Sequence, residues 1–415
     1  MAWFRKQRTS ILYFSGLWIV SVALQLYLAT HFRGYVGDQM IFISWMNELQ
    51  QTGFAHIYQS NQVNYPPVYL LVLDIYGKAA NALHYSIQPG ALSAKLPGIT
   101  LDAAAMIAFF VMTAHTASKW RMFILTLFCL NPAIIFDTAV WGQVDVLDGM
   151  LSLLAIANFL KRPGTSGFLF AVSLLSKFQS IVIFPVLAVV TLRGWLMTKR
   201  SASPVRIIVG FCLAFGGTGL FLAWHGTFFA MMKNAYLATT AQYPYLDMNA
   251  MNIWFYLVDS SPHLPDSTAV LGGVTYKIIG LFLLFLATLY MAVYIWRSAK
   301  LSVEQLIKAG TIVSFAFYML PTEIHERYIL MAVIFAIAAS LHDRKWTWIA
   351  AGLTLTSFCN LWTVCYGEPN PTTDMWMVYL NCILFIVMLL LAKKEFSFPR
   401  SWHDLHIWTD SDINL

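Results

Sequence analysis

The chain has 415 residues, of which 59% are hydrophobic and only 11% are charged. Soluble domains carry about 25% charged residues, so this composition excludes an ordinary soluble domain and predicts a polytopic membrane protein. The formal net charge of +6 does not call for a nucleic-acid partner, and we expect none, because Lys and Arg anchor the cytoplasmic loops of membrane proteins.

The five cysteines lie in apolar runs or near the end of one, which is not the pattern of a disulfide framework. There is no C-x-x-C pair and no Cys/His cluster. We therefore expect no metal and no other cofactor.

A helix needs about 20 mostly apolar residues to cross a bilayer. The sequence predicts an all-α protein with about 12 transmembrane helices, forming a single domain over residues 1–392. The first span is expected to stay uncleaved, because its apolar run is too long for a signal peptide. Both termini are expected in the cytoplasm, with a cytoplasmic tail at 393–415. The predicted spans are 10–30, 97–115, 122–137, 147–160, 165–177, 179–195, 206–224, 270–296, 304–322, 328–341, 346–363 and 375–392.

The first outer loop, residues 31–96, is predicted to hold amphipathic helices on the membrane surface. Over residues 38–52 the apolar side chains recur at helical spacing, and Gly53 can end that helix. Its apolar face is predicted to consist of Phe42, Trp45, Met46 and Leu49. A helix of this kind lies in the interface plane and does not cross.

The stretch 67–85 is long enough to cross, but it carries Asp74 and Lys78. Each charge in mid-span costs about 3 kcal/mol on insertion scales. If this stretch stays on the outer surface, most of the 26 Lys and Arg residues fall in cytoplasmic loops. If it crosses, every later loop inverts and that bias is lost, so we expect a surface helix.

Asp38 opens the first of these helices. As a helix-capping or first-turn acid it would satisfy free backbone amides. It could equally serve as a general base for a sugar hydroxyl at the membrane surface, provided that the hydroxyl comes within hydrogen-bond reach. The corner Asn64-Tyr65-Pro66-Pro67 is either a turn leading into a helix or a rigid wall for a sugar or an isoprenoid.

Three further motifs fall on the same predicted face of the membrane. Asp145 and Asp148, after Trp141-Gly142-Gln143, share a helix face and are either functional acids or water-exposed span ends. Lys177 could bind a phosphate or could be an interfacial lysine with its charge in water. Arg327 could hold a phosphate in two-point contact or could simply pair with Glu326.

With these motifs in this order, the chain resembles the polyprenyl-phosphate-sugar-dependent membrane glycosyltransferases of the GT-C fold. It is most similar to the branch that contains the dolichyl-phosphate-glucose-dependent glucosyltransferases and their bacterial relatives. The resemblance extends from the first span to about Leu341. Asp145 stands where the eukaryotic relatives have Asn, and Phe178 is inserted between Lys177 and Gln179.

The resemblance implies an inverting transfer of one hexose from a polyprenyl-phosphate donor to a glycan or glycolipid acceptor. Asp38 would deprotonate the acceptor, while Arg327 and Lys177 would stabilise charge on the departing phosphate. Other GT-C branches have a paired acidic motif that can hold a metal, and Asp145-x-x-Asp148 is not a close match to it. The substrate-binding residues implied are Tyr65, Pro66, Trp141, Gln143, Asp145, Lys177, Gln179, His325, Glu326 and Arg327.

The implied location is the extracytoplasmic face of a membrane, and the short loops favour a bacterial plasma membrane over the endoplasmic reticulum. Two other functions are open from the sequence. A glycolipid transporter or flippase would use related halves around a midplane site, and no such symmetry is visible. A polysaccharide polymerase or ligase would add a preassembled oligosaccharide.

Overall fold

The structure is a computed structural model. It describes residues 2–114, 116, 119–198, 202–238, 242–258, 264–298, 301–367 and 371–396. Nearly all of the secondary structure in these residues is helical. The predicted tail at 393–415 lies outside the described residues from position 397 onwards.

The helices in chain order are α1 (Ala2–His31), α2 (Val36–Thr52), α3 (Pro67–Ala82), α4 (Leu92–Met112), α5 (Lys119–Cys129), α6 (Pro132–Ile135), α7 (Asp145–Asn158), α8 (Pro163–Ser176), α9 (Phe184–Thr198), α10 (Ala202–Phe211), α11 (Gly217–Trp224), α12 (Phe228–Met232), α13 (Phe255–Val258), α14 (Tyr276–Arg297), α15 (Val303–Met319), α16 (Leu330–Ser340), α17 (Trp346–Tyr366) and α18 (Pro371–Lys393). Short 3₁₀ or π-helical turns join several of them, as at Phe136–Trp141 and Phe178–Ile183.

Among the described residues, eight helices are long and apolar enough to cross a membrane, which supports a multi-pass membrane protein. They cover Arg8–His31, Leu92–Met112, Lys119–Trp141, Phe178–Met197, Ser203–Trp224, Tyr276–Arg297, Trp346–Tyr366 and Thr372–Lys393. The other four predicted spans correspond to α7, α8, α15 and α16, which are 11 to 17 residues long. The total of twelve stays a prediction.

Residues 32–91 leave the helical bundle and return to it at the same end. The Lys95 ammonium, in the first turn of α4, donates to the carbonyl oxygens of Ala29 and Phe32 at the end of α1. The Gly90 N–H donates to the side chain of Gln39 at the start of α2, at 2.6 Å. If α3 alone crossed the membrane between α1 and α4, the start of α4 would lie at the opposite end of the bundle from the end of α1. The two lie together, so this arrangement does not need α3 to cross.

Helix α2 has the predicted amphipathic pattern. Phe42, Trp45, Met46 and Leu49 share one face, as predicted, and all four are buried. The helix ends at Gly53, whose φ is +77°. The apolar face packs on α3 and on residues 57–58. The hydrophobic contact that fixes α2 is therefore made with protein.

Helix α4 begins five residues before the predicted start at Pro97. Pro97 has no N–H to donate to the carbonyl of Ser93, so this proline leaves one helical acceptor free. The hydroxyl of Tyr76 in α3 donates to that carbonyl at 2.7 Å. Because the lost bond is replaced from α3, the helix continues through the proline.

The predicted span at 270–296 is wrong at its start. Residues Ala269–Leu271 and Val274–Thr275 pair as an antiparallel hairpin, and α14 begins only at Tyr276. Gly272 and Gly273 have φ of +52° and +87°, which two-residue hairpin turns demand and which Gly adopts without strain. This hairpin is the only sheet in the part of the chain that the structure describes.

An ionic cluster away from the first outer loop joins α15 to the α16–α17 connection and to the residues just after α18. The Lys308 ammonium in α15 lies 2.7 Å from Glu304, 3.1 Å from Asp343 and 2.5 Å from Glu395. The three carboxylates converge closely enough to hold a metal ion. The ammonium group already neutralises part of their charge, and it ties the end of α18 to α15.

Candidate active site

A cavity of about 770 Å³ opens beside the start of α2. Its walls come from α2, the Tyr65-Pro66 corner, the break between α8 and α9, the first turns of α14, and residues 317–328. The predicted site residues that line it are Asp38, Tyr65, Pro66, Gln143, Lys177, Gln179, His325 and Arg327. Chain segments far apart in sequence thus contribute to one site.

Asp38 is held at the cavity wall by donors that all approach the same carboxylate oxygen. Oδ2 accepts from the Trp141 indole at 2.9 Å and from the Gln143 amide at 2.6 Å, and Arg327 lies 3.6 Å away. Asp38 is not the helix cap, because α2 begins at Val36 and its capping position is Tyr35, but it does lie in the first turn of α2, as the same alternative allowed. Among the described residues, none donates a hydrogen bond to the second oxygen, Oδ1.

The turn before α7 places Trp141 and Gln143. The helix widens over Phe136–Trp141, and Gly142 ends it with φ of +93°. The N–H groups of Gly142 and Gln143 both donate to the carbonyl of Asp137, at 3.0 and 2.9 Å. A Cβ at Gly142 would lie 3.2 Å from the Gln39 side chain, and the positive φ of Gly142 would strain any larger residue in this turn.

Lys177 sits at the break between α8 and α9, with an extended backbone. Its ammonium pairs with Asp145, and its side chain is only 9% exposed. The ammonium also lies over the rings of Tyr65 and Tyr328, at 5.9 and 5.4 Å. The alternative of an interfacial lysine with its charge in water is therefore wrong.

The acids after the third predicted span are buried. Asp137, Asp145 and Asp148 are each exposed by 2% or less, so the alternative of water-exposed span ends is wrong. Both carboxylate oxygens of Asp137 and of Asp148 lack a hydrogen-bond partner among the described residues. Asp145 differs from them, because Lys177 neutralises it.

Arg327 bridges three acids. Its NH1 nitrogen lies 2.8 Å from Glu326 and 3.6 Å from Asp38, and its Nε lies 3.8 Å from Asp145. Arg327 pairs with Glu326, as one alternative predicted. It also lines the cavity, where the other alternative, contact with a phosphate, stays a prediction. Burial raises the pKa of Glu326 above its usual value, and Arg327 opposes that rise.

His325 lines the cavity between Arg327 and two aromatic rings. Its ring meets those of Tyr243 and Tyr328 edge-on, with centroids 5.2 and 5.3 Å away. Burial lowers the pKa of His325 well below its usual value, and the charges of Arg327 and Lys177 lower it further. The imidazole is therefore neutral at pH 7, and it can accept as well as donate a hydrogen bond.

Three of the predicted substrate-binding residues lie behind the cavity wall. Trp141 contacts Asp38, Asp145 contacts Lys177, and Glu326 contacts Arg327. Each of these three is buried. They orient the side chains that face the cavity.

Polar atoms at the wall are left without partners. The side-chain oxygens of Gln143 and Gln179 are buried and accept no hydrogen bond from the described residues. The Nε of Arg327 likewise has no hydrogen-bond partner there. Buried polar groups are normally satisfied, so these three atoms are exceptions among the residues that line the cavity.

The sequence did not single out Lys277 and Glu323 as site residues, yet both line the cavity. The Lys277 ammonium lies 2.5 Å from Glu323 and 3.6 Å from Asp266. Its one signal in the sequence is a lysine inside the predicted span 270–296. Tyr243, from the loop that follows residue 241, completes this wall.

No protein-family model matches the chain, and no curated protein matches it either.

Proposed function

We propose that this protein is an inverting glycosyltransferase of the GT-C type. It moves one hexose from a polyprenyl phosphate to an acceptor hydroxyl on the extracytoplasmic face of a membrane. The main support is the geometry of Asp38, which lines the cavity. Its Oδ2 accepts hydrogen bonds from Trp141 and Gln143, which leaves Oδ1 for the acceptor hydroxyl.

The proposed step needs one base and a stabilised leaving group. The acceptor oxygen bonds to the anomeric carbon, its proton passes to Asp38 Oδ1, and the bond from that carbon to the phosphate oxygen breaks. A base acts only within about 2.6–3.2 Å of the proton-bearing atom. Trp141 and Gln143 hold the carboxylate in one orientation, which removes the entropy loss of fixing it during reaction.

Positive charge near the reacting atoms favours departure of the phosphate. Arg327 and Lys177 both line the cavity, and fixed charges that face developing negative charge are worth most where water is excluded. Neutral His325 and the unpaired oxygens of Gln143 and Gln179 are suited to sugar hydroxyls.

A lipid-borne donor suits the apolar part of this cavity. Met40, Ile41, Leu281 and Phe317 line it, and the first three are exposed. A lipid chain can therefore lie along the bundle while its head group enters the polar part. The proposal includes twelve spans, surface positions for α2 and α3, and a bacterial plasma membrane as the location.

The decisive test compares Asp38→Asn with wild-type protein in a mass-resolved transfer assay. The donors are synthetic polyprenyl-phosphate glucose, mannose and galactose, offered with a glycolipid extract as acceptor. We expect wild-type protein to add one hexose with one donor and Asp38→Asn to be slower by about 10²–10⁴-fold. Glu48→Gln, on the same helix but outside the lining of the cavity, is the matched control and should keep full turnover.

Full turnover in the Asp38→Asn variant would contradict the assignment of the base. Movement of the glycolipid across proteoliposome membranes without covalent transfer would instead identify a flippase. Addition of a whole oligosaccharide in one turnover would identify a polymerase or ligase.

A further inference from the structure

The two cations assigned to the phosphate by the sequence motifs are already surrounded by acids. Arg327 touches Glu326 and lies within 4 Å of Asp38 and Asp145. Lys177 is paired with Asp145 and is almost fully buried. Acids compensate the charge of all three described cations that line the cavity, Lys277 included, so exposure and not charge distinguishes them.

In-line geometry also separates the base from the phosphate. The base lies about 3 Å from the acceptor oxygen, which lies about 3 Å from the anomeric carbon. The departing phosphate oxygen is on the far side of that carbon, so it lies more than about 6 Å from Asp38. Arg327 NH1 is 3.6 Å from Asp38 Oδ2, so this guanidinium lies beside the base and is shared between its acidic partners and the leaving phosphate.

A different wall carries a more accessible cation. Lys277 is the second residue of α14, and its side chain is 41% exposed, against 13% for Arg327 and 9% for Lys177. Leu281, one turn along the same helix, also lines the cavity and is 52% exposed. The span that begins at Tyr276 has the highest hydropathy of the eight candidates. Lys277 is therefore at the first turn of a very apolar candidate span. The ends of such spans lie at the depth of the lipid phosphates.

We propose that Lys277 captures the phosphate of the polyprenyl donor at the rim of the cavity, and that Glu323 competes with this phosphate for the lysine. The proposal rests on the proposed function for the identity of the donor. Glu323 lies 2.5 Å from the ammonium and lines the same cavity. Asp266 is more distant at 3.6 Å and accepts a hydrogen bond from Thr322. Binding then exchanges one anionic partner of Lys277 for another.

This exchange predicts opposite effects for two substitutions. Lys277→Gln removes the cation, so we expect polyprenyl monophosphate to bind about fivefold more weakly, a change of about 1 kcal/mol. Glu323→Gln removes the competitor, so the same lipid should bind more tightly. Lys78→Gln is the matched control, because Lys78 is a lysine on α3 with 62% exposure and an acidic partner, Asp74.

Binding is measured by native mass spectrometry or microscale thermophoresis on purified full-length protein in detergent, with polyprenyl monophosphate as the probe. The uncharged polyprenol of equal length, inorganic phosphate and phosphatidylglycerol are the comparison ligands. We expect only the polyprenyl phosphate to discriminate wild-type protein from Lys277→Gln. Equal binding of that lipid by both proteins, or an equal loss of phosphatidylglycerol binding, would overturn the proposal.

The outcome is separable from that of the proposed function. If Lys277→Gln binds the lipid normally while Asp38→Asn abolishes transfer, the rim site fails and the transferase stands. If no sugar is transferred but the two substitutions shift lipid binding in opposite directions, the rim site stands and the transferase fails.

Discussion

Asp38 illustrates how neighbours define the role of a single carboxylate. Position alone allows a cap or a base, since a first-turn acid suits the helix dipole in either role. The structure gives its Oδ2 two hydrogen-bond donors from residues 103 and 105 positions away. A carboxylate fixed in this way keeps one defined oxygen for a ligand.

His325 yields a prediction about stability at low pH. Its pKa in the folded protein is lowered, while the unfolded value is about 6.5. Below pH 6.5 the unfolded state binds more protons than the folded state, so the free energy of unfolding falls as the pH falls. The slope contributed by one such group is at most about 1.4 kcal/mol per pH unit.

The measurement is the thermal midpoint of unfolding in detergent between pH 7 and pH 5. We expect His325→Asn to lose less stability over this interval than wild-type protein. His84→Asn is the control, because His84 is exposed and its φ of +51° suits Asn. Parallel profiles for His325→Asn and wild-type protein would show that this histidine is not buried in the neutral form.

Interrupted helices place three of the polar side chains in the cavity. The widened turn before Gly142 presents Gln143, the break after α8 presents Lys177, and the 3₁₀ turn before α16 presents Arg327. A continuous helix would direct successive side chains around its axis. Each break instead turns a polar group towards one end of the bundle.

The close contact of α4 with one of these turns gives a prediction at the scale of elements. A Cβ at Gly98 would lie 2.8 Å from the carbonyl oxygen of Gln143, so backbone would have to move. We expect Gly98→Ala to reduce transfer by more than about tenfold, since small displacements of catalytic groups have large rate effects.

Gly16→Ala is the matched control in another spanning helix, because its added methyl group meets nothing within 4 Å. It should keep activity and be no less stable than wild-type protein. Initial rates and thermal midpoints measured side by side test both variants. Unchanged transfer in Gly98→Ala would mean that the position of Gln143 is not coupled to α4.

At the scale of the molecule, the two ends of the bundle carry different polar groups. The first outer loop and the cavity lie at one end, where the chain leaves α1 and returns in α4. The Lys308 cluster includes Asp343, from the α16–α17 connection that also contains the predicted cytoplasmic residues Arg344 and Lys345. The positive-inside rule would put the cavity outside the cytoplasm.

Accessibility labelling of intact cells checks this topology. Glu48→Cys lies on α2 and Ser86→Cys follows α3, and both positions are at least partly exposed. If α3 stays on the outer surface, a membrane-impermeant maleimide should label both cysteines from outside. The wild-type chain gives the background from its five native cysteines. Labelling of Ser86→Cys only after permeabilisation would show that α3 crosses.

The sequence by itself determined what depends on local pattern. Long apolar runs indicated a membrane protein, helical spacing indicated the buried face of α2, and Gly53 and Pro67 marked helix ends that the structure confirms. Such features follow from hydrophobicity and backbone conformation within a few residues. The Gly272-Gly273 turn was a local signal too, but the apolar residues around it obscured it.

Tertiary structure alone decided which polar groups meet. Residues distant in sequence decide the burial of Asp137 and Asp148 and the pairing of Lys177 with Asp145. They also decide that Lys277 lines the cavity. The energy of a charge depends on its solvation and on its nearest partners. Neither quantity exists until the helices have packed, so a motif can indicate candidate residues but not the electrostatics that would make them a site.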